Sequence, residues 1–171
     1  MVDYKSLPIG EKVPEIINAV VEIPSGSSNK YEYDVGLGVF RLDRVLYSPV
    51  HYPADYGFIP STLAADGDPL DILIMISRPT FPGCLLEARP VGILEMVDDK
   101  GVDEKILAAA QHDPRDDRIK DLSDVEPHIL QEIKHFFNVY KNLEGKTSLT
   151  FGWSNRAAAH ERIQTYRVVK K

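Results

Sequence analysis

The sequence predicts an α+β chain that is mainly β, and three observations carry that expectation. Short segments rich in Val, Ile, Leu and aromatic residues recur at 16–23, 39–47, 70–77 and 85–97, separated by stretches rich in Pro, Gly, Ser and Asp, which is the pattern of strands and turns. Helical periodicity appears at length in one place, where Ile129, Ile133, Phe136 and Tyr140 follow at spacings of four, three and four. With 171 residues and 43% hydrophobic content, the chain is long enough for one well-buried core and too short to expect two. Residues 1–171 are therefore expected to form one domain.

Residues 1–15 are polar, with Pro8, Gly10 and Pro14, and read as an irregular lead-in. The segment 16–23 is a strand bounded by Pro14 and Pro24, and Glu22 near its end faces either solvent or a site. After the loop 25–29, residues 30–34 alternate at the strand period, which puts Lys30, Glu32 and Asp34 on one face. In the strand 39–47, Arg41 and Asp43 share one face and Arg44 takes the other; an arginine turned towards a core calls for an anion. The segment 51–60 packs His51, Tyr52, Tyr56, Phe58 and two prolines into a rigid, irregular stretch. A tyrosine there can bury its ring and keep its hydroxyl for an anion.

Asp66, Asp68 and Asp71 fall within six residues, interrupted by Gly67 and Pro69, which exclude a regular helix. Taken alone the stretch is also ordinary turn chemistry. Two unit charges 4 Å apart repel by roughly 4 kcal/mol at an effective dielectric of about 20, so convergence of these carboxylates needs a cation or bound protons. Hard-oxygen metal binding follows. An EF-hand loop counted from Asp66 fails, since Leu70, Asp71 and Ser77 stand where the template wants an oxygen ligand, Gly and Glu. Further acids, Asp98, Asp99, Asp103 and Glu104, follow the strand predicted at 85–97. In isolation they read as a charged hairpin tip, but acids close or follow predicted strands near 22, 32, 66–71 and 98–103. Strand ends on one rim would gather them.

The segment 106–111 is read as a strand from context, against the helix propensity of its alanines. His112 and Asp113 lack metal-ligand spacing to a second His or Cys and receive no role. Ser123 and Glu126 have the spacing of a capping box at the start of the main helix. Lys141 closes that helix, where its charge suits the helix dipole. A last strand is expected over 146–153, and Asn155 caps a short helix running to about Tyr166.

The net charge of -6, from 20 basic and 26 acidic residues, argues against a nucleic-acid backbone as partner. The lone Cys84 forms no internal disulfide, and no basic-then-apolar segment resembles a secretory signal, so a cytoplasmic location is expected. The apolar runs are far shorter than the roughly 20 residues that span a bilayer. No membrane insertion is expected.

Asp66-Gly67-Asp68-Pro69-Leu70-Asp71 also stands in an ordered set with Glu22-Ile23-Pro24, Lys30-Tyr31-Glu32, Asp43-Arg44, Tyr52-Pro53, Tyr56-Gly57, Arg89-Pro90-Val91-Gly92, Asp98, Asp103, Lys105, His135-Phe136-Phe137 and Tyr140-Lys141. In these residues, from about Val20 to Trp153, the chain resembles the soluble family I inorganic pyrophosphatases of the short bacterial type. The resemblance implies a closed five-stranded OB-like barrel with two flanking α-helices and the site at its mouth. It implies Mg²⁺-dependent hydrolysis of pyrophosphate to two phosphates, with Mn²⁺ or Zn²⁺ as substitute metals and a homohexamer as the assembly.

Carried over position by position, Asp66, Asp71 and Asp103 look like direct ligands of the tighter metals, and Asp98 like a ligand of one that arrives with substrate. Glu22 and Glu32 would act largely through water. Asp68 looks like the general base, with Tyr56 beside it in the chemistry. Lys30, Arg44, Tyr56, Lys105, Tyr140 and Lys141 would hold the phosphates, and Tyr52 would tune the network. Asp99 stands where bacterial relatives often carry Glu and receives no ligand role. The seven carboxylates outnumber the four cations, Lys30, Arg44, Lys105 and Lys141, by three. Pyrophosphate would take the site to about -7, which roughly three or four divalent cations would bring near neutral. Two other readings remain at this stage. An OB-type binder of single-stranded nucleic acid would want a basic groove, and a nucleotide phosphohydrolase would want an adenine-stacking or ribose-binding pattern; neither feature is evident.

Overall fold

The computed structural model describes residues 2–169 and is mainly β with two α-helices. Its elements run in the order β1 (Ile17–Ile23), β2 (Asn29–Asp34), β3 (Val39–Val45), β4 (Asp55–Phe58), β5 (Asp71–Met75), β6 (Leu85–Asp98), β7 (Gly101–Val102), β8 (Lys105–Ala110), α1 (Pro127–Val139), β9 (Ser148–Asn155) and α2 (Arg156–Tyr166). The main sheet has the order β1-β4-β5-β8-β6-β7; β1 also pairs with β6, and β9 pairs with β6. Strands β5 and β8 are parallel, while β2 and β3 form a separate antiparallel hairpin.

The strand period divides the core in two. From β5 and β8, Leu73, Met75, Leu107 and Ala109 pack with Ile133, Phe136 and Phe137 of α1. Their sequence neighbours Ile72, Ile74, Ile106 and Ala108 pack with Ala159 and Ile163 of α2. Each buried branched side chain contributes about 1.5–3 kcal/mol, so burial on both faces explains why these strands read as continuous apolar runs. The alanines of β8 are all buried, and this sheet context overrides their helix propensity. Gly57 sets how closely β4 approaches β1, because a Cβ there would fall 1.9 Å from the Val20 carbonyl oxygen.

The main helix differs in detail from the sequence expectation. Pro127 opens α1, and Glu126 at its N-cap makes no side-chain capping bond. The reciprocal cap forms one turn earlier, between Asp121 and Asp124 around a 3-10 turn. Proline disfavours the helical conformation in the residue before it, and Glu126 takes ψ of 123°, so the helix starts at Pro127 and leaves Glu126 outside the box its spacing suggested. Ile129 is exposed, and Phe137 takes a place in the buried face beside Ile133, Phe136 and Tyr140. The predicted C-terminal cap is present, with the Asn155 side chain accepting from the Ala158 N–H at 3.2 Å. Among the described residues no helix is long and apolar enough to cross a membrane.

Candidate active site

Parallel pairing of β5 with β8 aligns Asp71 with Lys105, and Asp103 lies two residues earlier on the same side of the chain. The Lys105 ammonium is buried and stands 2.5 Å from Asp71 Oδ2 and 2.5 Å from Asp103 Oδ1. Those two carboxylates therefore approach one point. Burial alone would pull the Lys105 pKa down, but Asp71 and Asp103 outweigh it and hold the ammonium above its ordinary range. Burial pushes the Asp103 carboxyl up; Lys105 opposes that, while Asp71 and Asp98 add to it.

Aromatic residues enclose this point. Tyr56 donates its hydroxyl to Asp71 Oδ2 at 2.7 Å, and the Lys105 ammonium stands 5.6 Å from the Tyr56 ring centroid and 5.8 Å from that of Phe137. Tyr52 packs between Tyr56 and Phe136, and Phe136 stacks on Tyr140. Burial drives the phenol pKa values of Tyr52, Tyr56 and Tyr140 upwards, so these groups keep the protons they need to donate hydrogen bonds. The cluster is a set of fixed donors at the end of the α1 core.

Lys141, just past α1, bonds Asp98 Oδ2 at 2.7 Å and lies 3.7 Å from Asp99 Oδ1. Its position is thus fixed by a specific acid as well as by the helix end. On the hairpin, Lys30 pairs with Glu32 and stands 3.7 Å from Asp43, while Arg44 donates from Nε to Glu144 at 2.8 Å and from Nη1 to Asp43 at 2.5 Å. Every basic residue proposed from sequence thus already faces a carboxylate. Sequence reasoning assigned no role to Asp43 or Glu144. Asp43 was detectable as the neighbour of Arg44 in the ordered set of motifs; Glu144, one hundred residues from Arg44, carried no such signal.

Glu22 accepts the Tyr33 N–H at 2.8 Å and sits near Asp71, Glu32 and Lys30. Burial is the main cause that raises its pKa from the ordinary 4.5 to about 7, with the Tyr33 bond opposing. A carboxyl that holds its proton more tightly when folded stabilises the fold most below the ordinary value. That contribution is lost as pH rises from about 4.5 to about 7. The metal-free protein is therefore expected to lose up to roughly 3 kcal/mol across that window. Glu22→Gln should flatten this slope in denaturant unfolding measured at several pH values; an unchanged slope would assign it elsewhere.

Asp66 and Asp68 lie on the loop before β5. Asp66 Oδ1 accepts the Asp68 N–H at 3.0 Å, and Gly67 takes the left-handed φ of 88° that this turn requires. Asp66 lines a small crevice with Asp71 and Asp103. Asp68 instead presents a side chain 68% exposed, with Oδ1 3.0 Å from Lys5 Nζ. The structure thus gathers Asp71, Asp103, Lys105 and Tyr56 tightly, sets Asp66 alongside, and turns Asp68 outward. Among the described residues no three acidic, His or Cys side chains stand within metal-ligating distance of a single point; Lys105 occupies the place where Asp71 and Asp103 converge.

A family model described as inorganic pyrophosphatase matches residues 19–169. The chain is 52% identical over 169 residues to an inorganic pyrophosphatase of Nostoc sp., covering 96% of this chain and 99% of that relative. It is 51% identical over 167 residues to one of Thermus thermophilus, with 96% and 95% covered. The crystal structure of inorganic pyrophosphatase from Thermus thermophilus superposes with a TM-score of 0.95 at 49% identity, covering 96% of this chain and 97% of that one. Matches of this extent and identity leave no part of the site outside the shared fold, and the chain belongs to the inorganic pyrophosphatase family.

Proposed function

We propose that the chain hydrolyses inorganic pyrophosphate to two phosphates with the help of divalent cations, Mg²⁺ foremost and Mn²⁺ or Zn²⁺ as substitutes. The observation that carries this reading is the convergence of Asp71 and Asp103 on one buried point where Lys105 is, among the described residues, their sole cationic contact. The donors assigned to the metals are Asp66, Asp71, Asp98 and Asp103, with Glu22 and Glu32 acting through water. This set is all carboxylate oxygen without His or Cys, and it suits hard cations. The Lys105 ammonium meets a demand for positive charge that a cation would also meet, so the residues fit the group. When bound, the cations would supply Lewis-acid charge that offsets the pyrophosphate and acidifies water, and roughly three or four would balance the site.

In this reading Asp68 takes the proton from the attacking water, and Tyr56 fixes Asp71 through its hydroxyl bond. Lys30, Arg44, Lys105, Tyr140 and Lys141 bind phosphate oxygens, and Tyr52 holds Tyr56 in place. Each basic group exchanges a carboxylate partner for a phosphate oxygen. Charge is therefore replaced rather than newly buried, which limits the desolvation cost of binding. Water attacks phosphorus directly, with no covalent intermediate on the protein.

The pairing of β1 with both β4 and β6 supports reading β1, β4, β5, β8 and β6 as a closed OB-like barrel within one domain, residues 1–171. A cytoplasmic homohexamer is also proposed. Exposed Ile129 on α1 and exposed Leu149 and Phe151 on β9 support burial between copies, and sedimentation showing only a monomer would remove that assembly.

Phosphate release from pyrophosphate, ATP and a simple phosphate monoester, each with Mg²⁺ and with EDTA, tests the activity. Fast release from pyrophosphate alone, abolished by EDTA, is expected. Release mainly from ATP would move the substrate to nucleotides, and no release would withdraw the activity.

A further inference from the structure

Residues 103 and 104 point to opposite sides of the sheet. Asp103 reaches Lys105 on the α1 side, while Glu104 has the parity of Ile106 and Ala108, whose side chains pack with α2. Glu104 is 10% exposed and ion-pairs with Arg162 of α2. Arg162 in turn lies 5.8 Å from the Tyr166 ring centroid. The end of the same helix grips the chain that leads into the acidic loop: the Leu63 N–H donates to Tyr166 O at 2.8 Å, the Val168 N–H to Ser61 O at 2.9 Å, and Thr62 bridges Arg167. The Leu70 N–H donates to Thr62 Oγ1 at 2.9 Å, and this fixes the far end of the loop. One helix thus holds both segments that carry Asp66, Asp71 and Asp103.

Between those segments lies a crevice of about 10 Å³ lined by Asp66, Asp71, Asp103, Glu104 and Tyr166. At most one water fits, so the segments that carry Asp66, Asp71 and Asp103 meet closely there. If Arg162 were lost, Glu104 would remain as an unpaired, nearly buried carboxylate in that crevice. Relief would come by shifting the adjacent backbone, which carries Asp103.

We propose that Arg162 is a positioning residue for the metal-ligating carboxylates, acting through Glu104 on Asp103 and through Tyr166 on the loop of Asp66. The proposal rests on the metal-site assignment above. It requires that removing a positive charge should weaken cation binding, whereas charge repulsion alone would make that binding tighter. The sign therefore separates geometry from simple electrostatics.

The test is the affinity for Mn²⁺ without substrate, read from the electron spin resonance of the free ion, for the full chain and for Arg162→Met, Arg162→Lys and Glu104→Gln. The expected result is Mn²⁺ affinity about tenfold weaker in Arg162→Met, the scale for groups that orient ligands. Arg162→Lys should recover most of that loss. Glu104→Gln, which keeps the size and a hydrogen bond, should stay folded and bind several-fold more weakly; combining it with Arg162→Met should add little. Unchanged or tighter Mn²⁺ binding in Arg162→Met, with or without a lower melting temperature, would overturn the proposal. If that variant does not fold, unchanged binding in Glu104→Gln would overturn it instead. Substrate is absent throughout, so a parent protein that fails to hydrolyse pyrophosphate would count against the proposed function and leave this comparison to decide separately.

Discussion

Asp68→Asn is expected to lower kcat for pyrophosphate by about 10²- to 10⁴-fold, the range for loss of a positioned general base, while the melting temperature and circular dichroism stay close to the parent. The two halves of this prediction have different physical origins. The Asp68 side chain is 68% exposed and its ion pair is with Lys5 at 3.0 Å, a surface pair of about 0–1 kcal/mol. The amide preserves the size of the side chain, so folding should hardly register the change. It does not preserve the capacity to accept a proton near neutral pH. Phosphate release under saturating Mg²⁺ and pyrophosphate reads kcat directly. Turnover equal to the parent would take the base role from Asp68 and leave it as a surface partner of Lys5.

That outward placement marks where sequence reasoning reached its limit. The β-branched and apolar runs identified the principal strands, because burial on one or both faces leaves a record in local composition. The acids were legible as carboxylates that recur at predicted strand ends, near 66–71 and 98–103, whereas Lys105 received its role only through the family resemblance. Their mutual arrangement was not legible, because parallel pairing of β5 with β8 is set by tertiary packing and leaves no local motif. Lys105 was assigned only to phosphate, and the structure places it between two acids. Glu144 escaped notice for the same reason, since its contact with Arg44 spans one hundred residues. Asp55 was likewise passed over; it is fully buried and accepts hydrogen bonds from Ser25 and Thr80, an interior tie that no spacing announces. The apparent capping box at Ser123 and Glu126 misled for a local reason, because the spacing does not register that Pro127 keeps Glu126 out of the helical conformation.

Lys105→Met is expected to destabilise the metal-free protein by about 3–5 kcal/mol, the cost of removing one partner from a buried ion pair. This is a large share of the about 5–15 kcal/mol that holds a domain folded. Methionine fills much the same volume and leaves the Tyr56 and Phe137 rings in contact with an apolar chain, so loss of packing is small. What remains is electrostatic: Asp71 and Asp103 lose the ammonium that now stands 2.5 Å from each, and two carboxylates are left facing each other in a poorly solvated site. The comparison that isolates this cause is denaturant unfolding with and without Mg²⁺. Binding to the folded state adds stability in proportion to the logarithm of occupancy, and a cation should be worth more to a pair of acids that has lost its lysine. Mg²⁺ is therefore expected to recover more stability in Lys105→Met than in the parent, even though turnover should fall with the loss of the phosphate contact proposed for Lys105. Equal stability of variant and parent without metal would show that the acids tolerate each other unaided. Equal recovery by Mg²⁺ in both would show that lysine and cation do not answer the same charge.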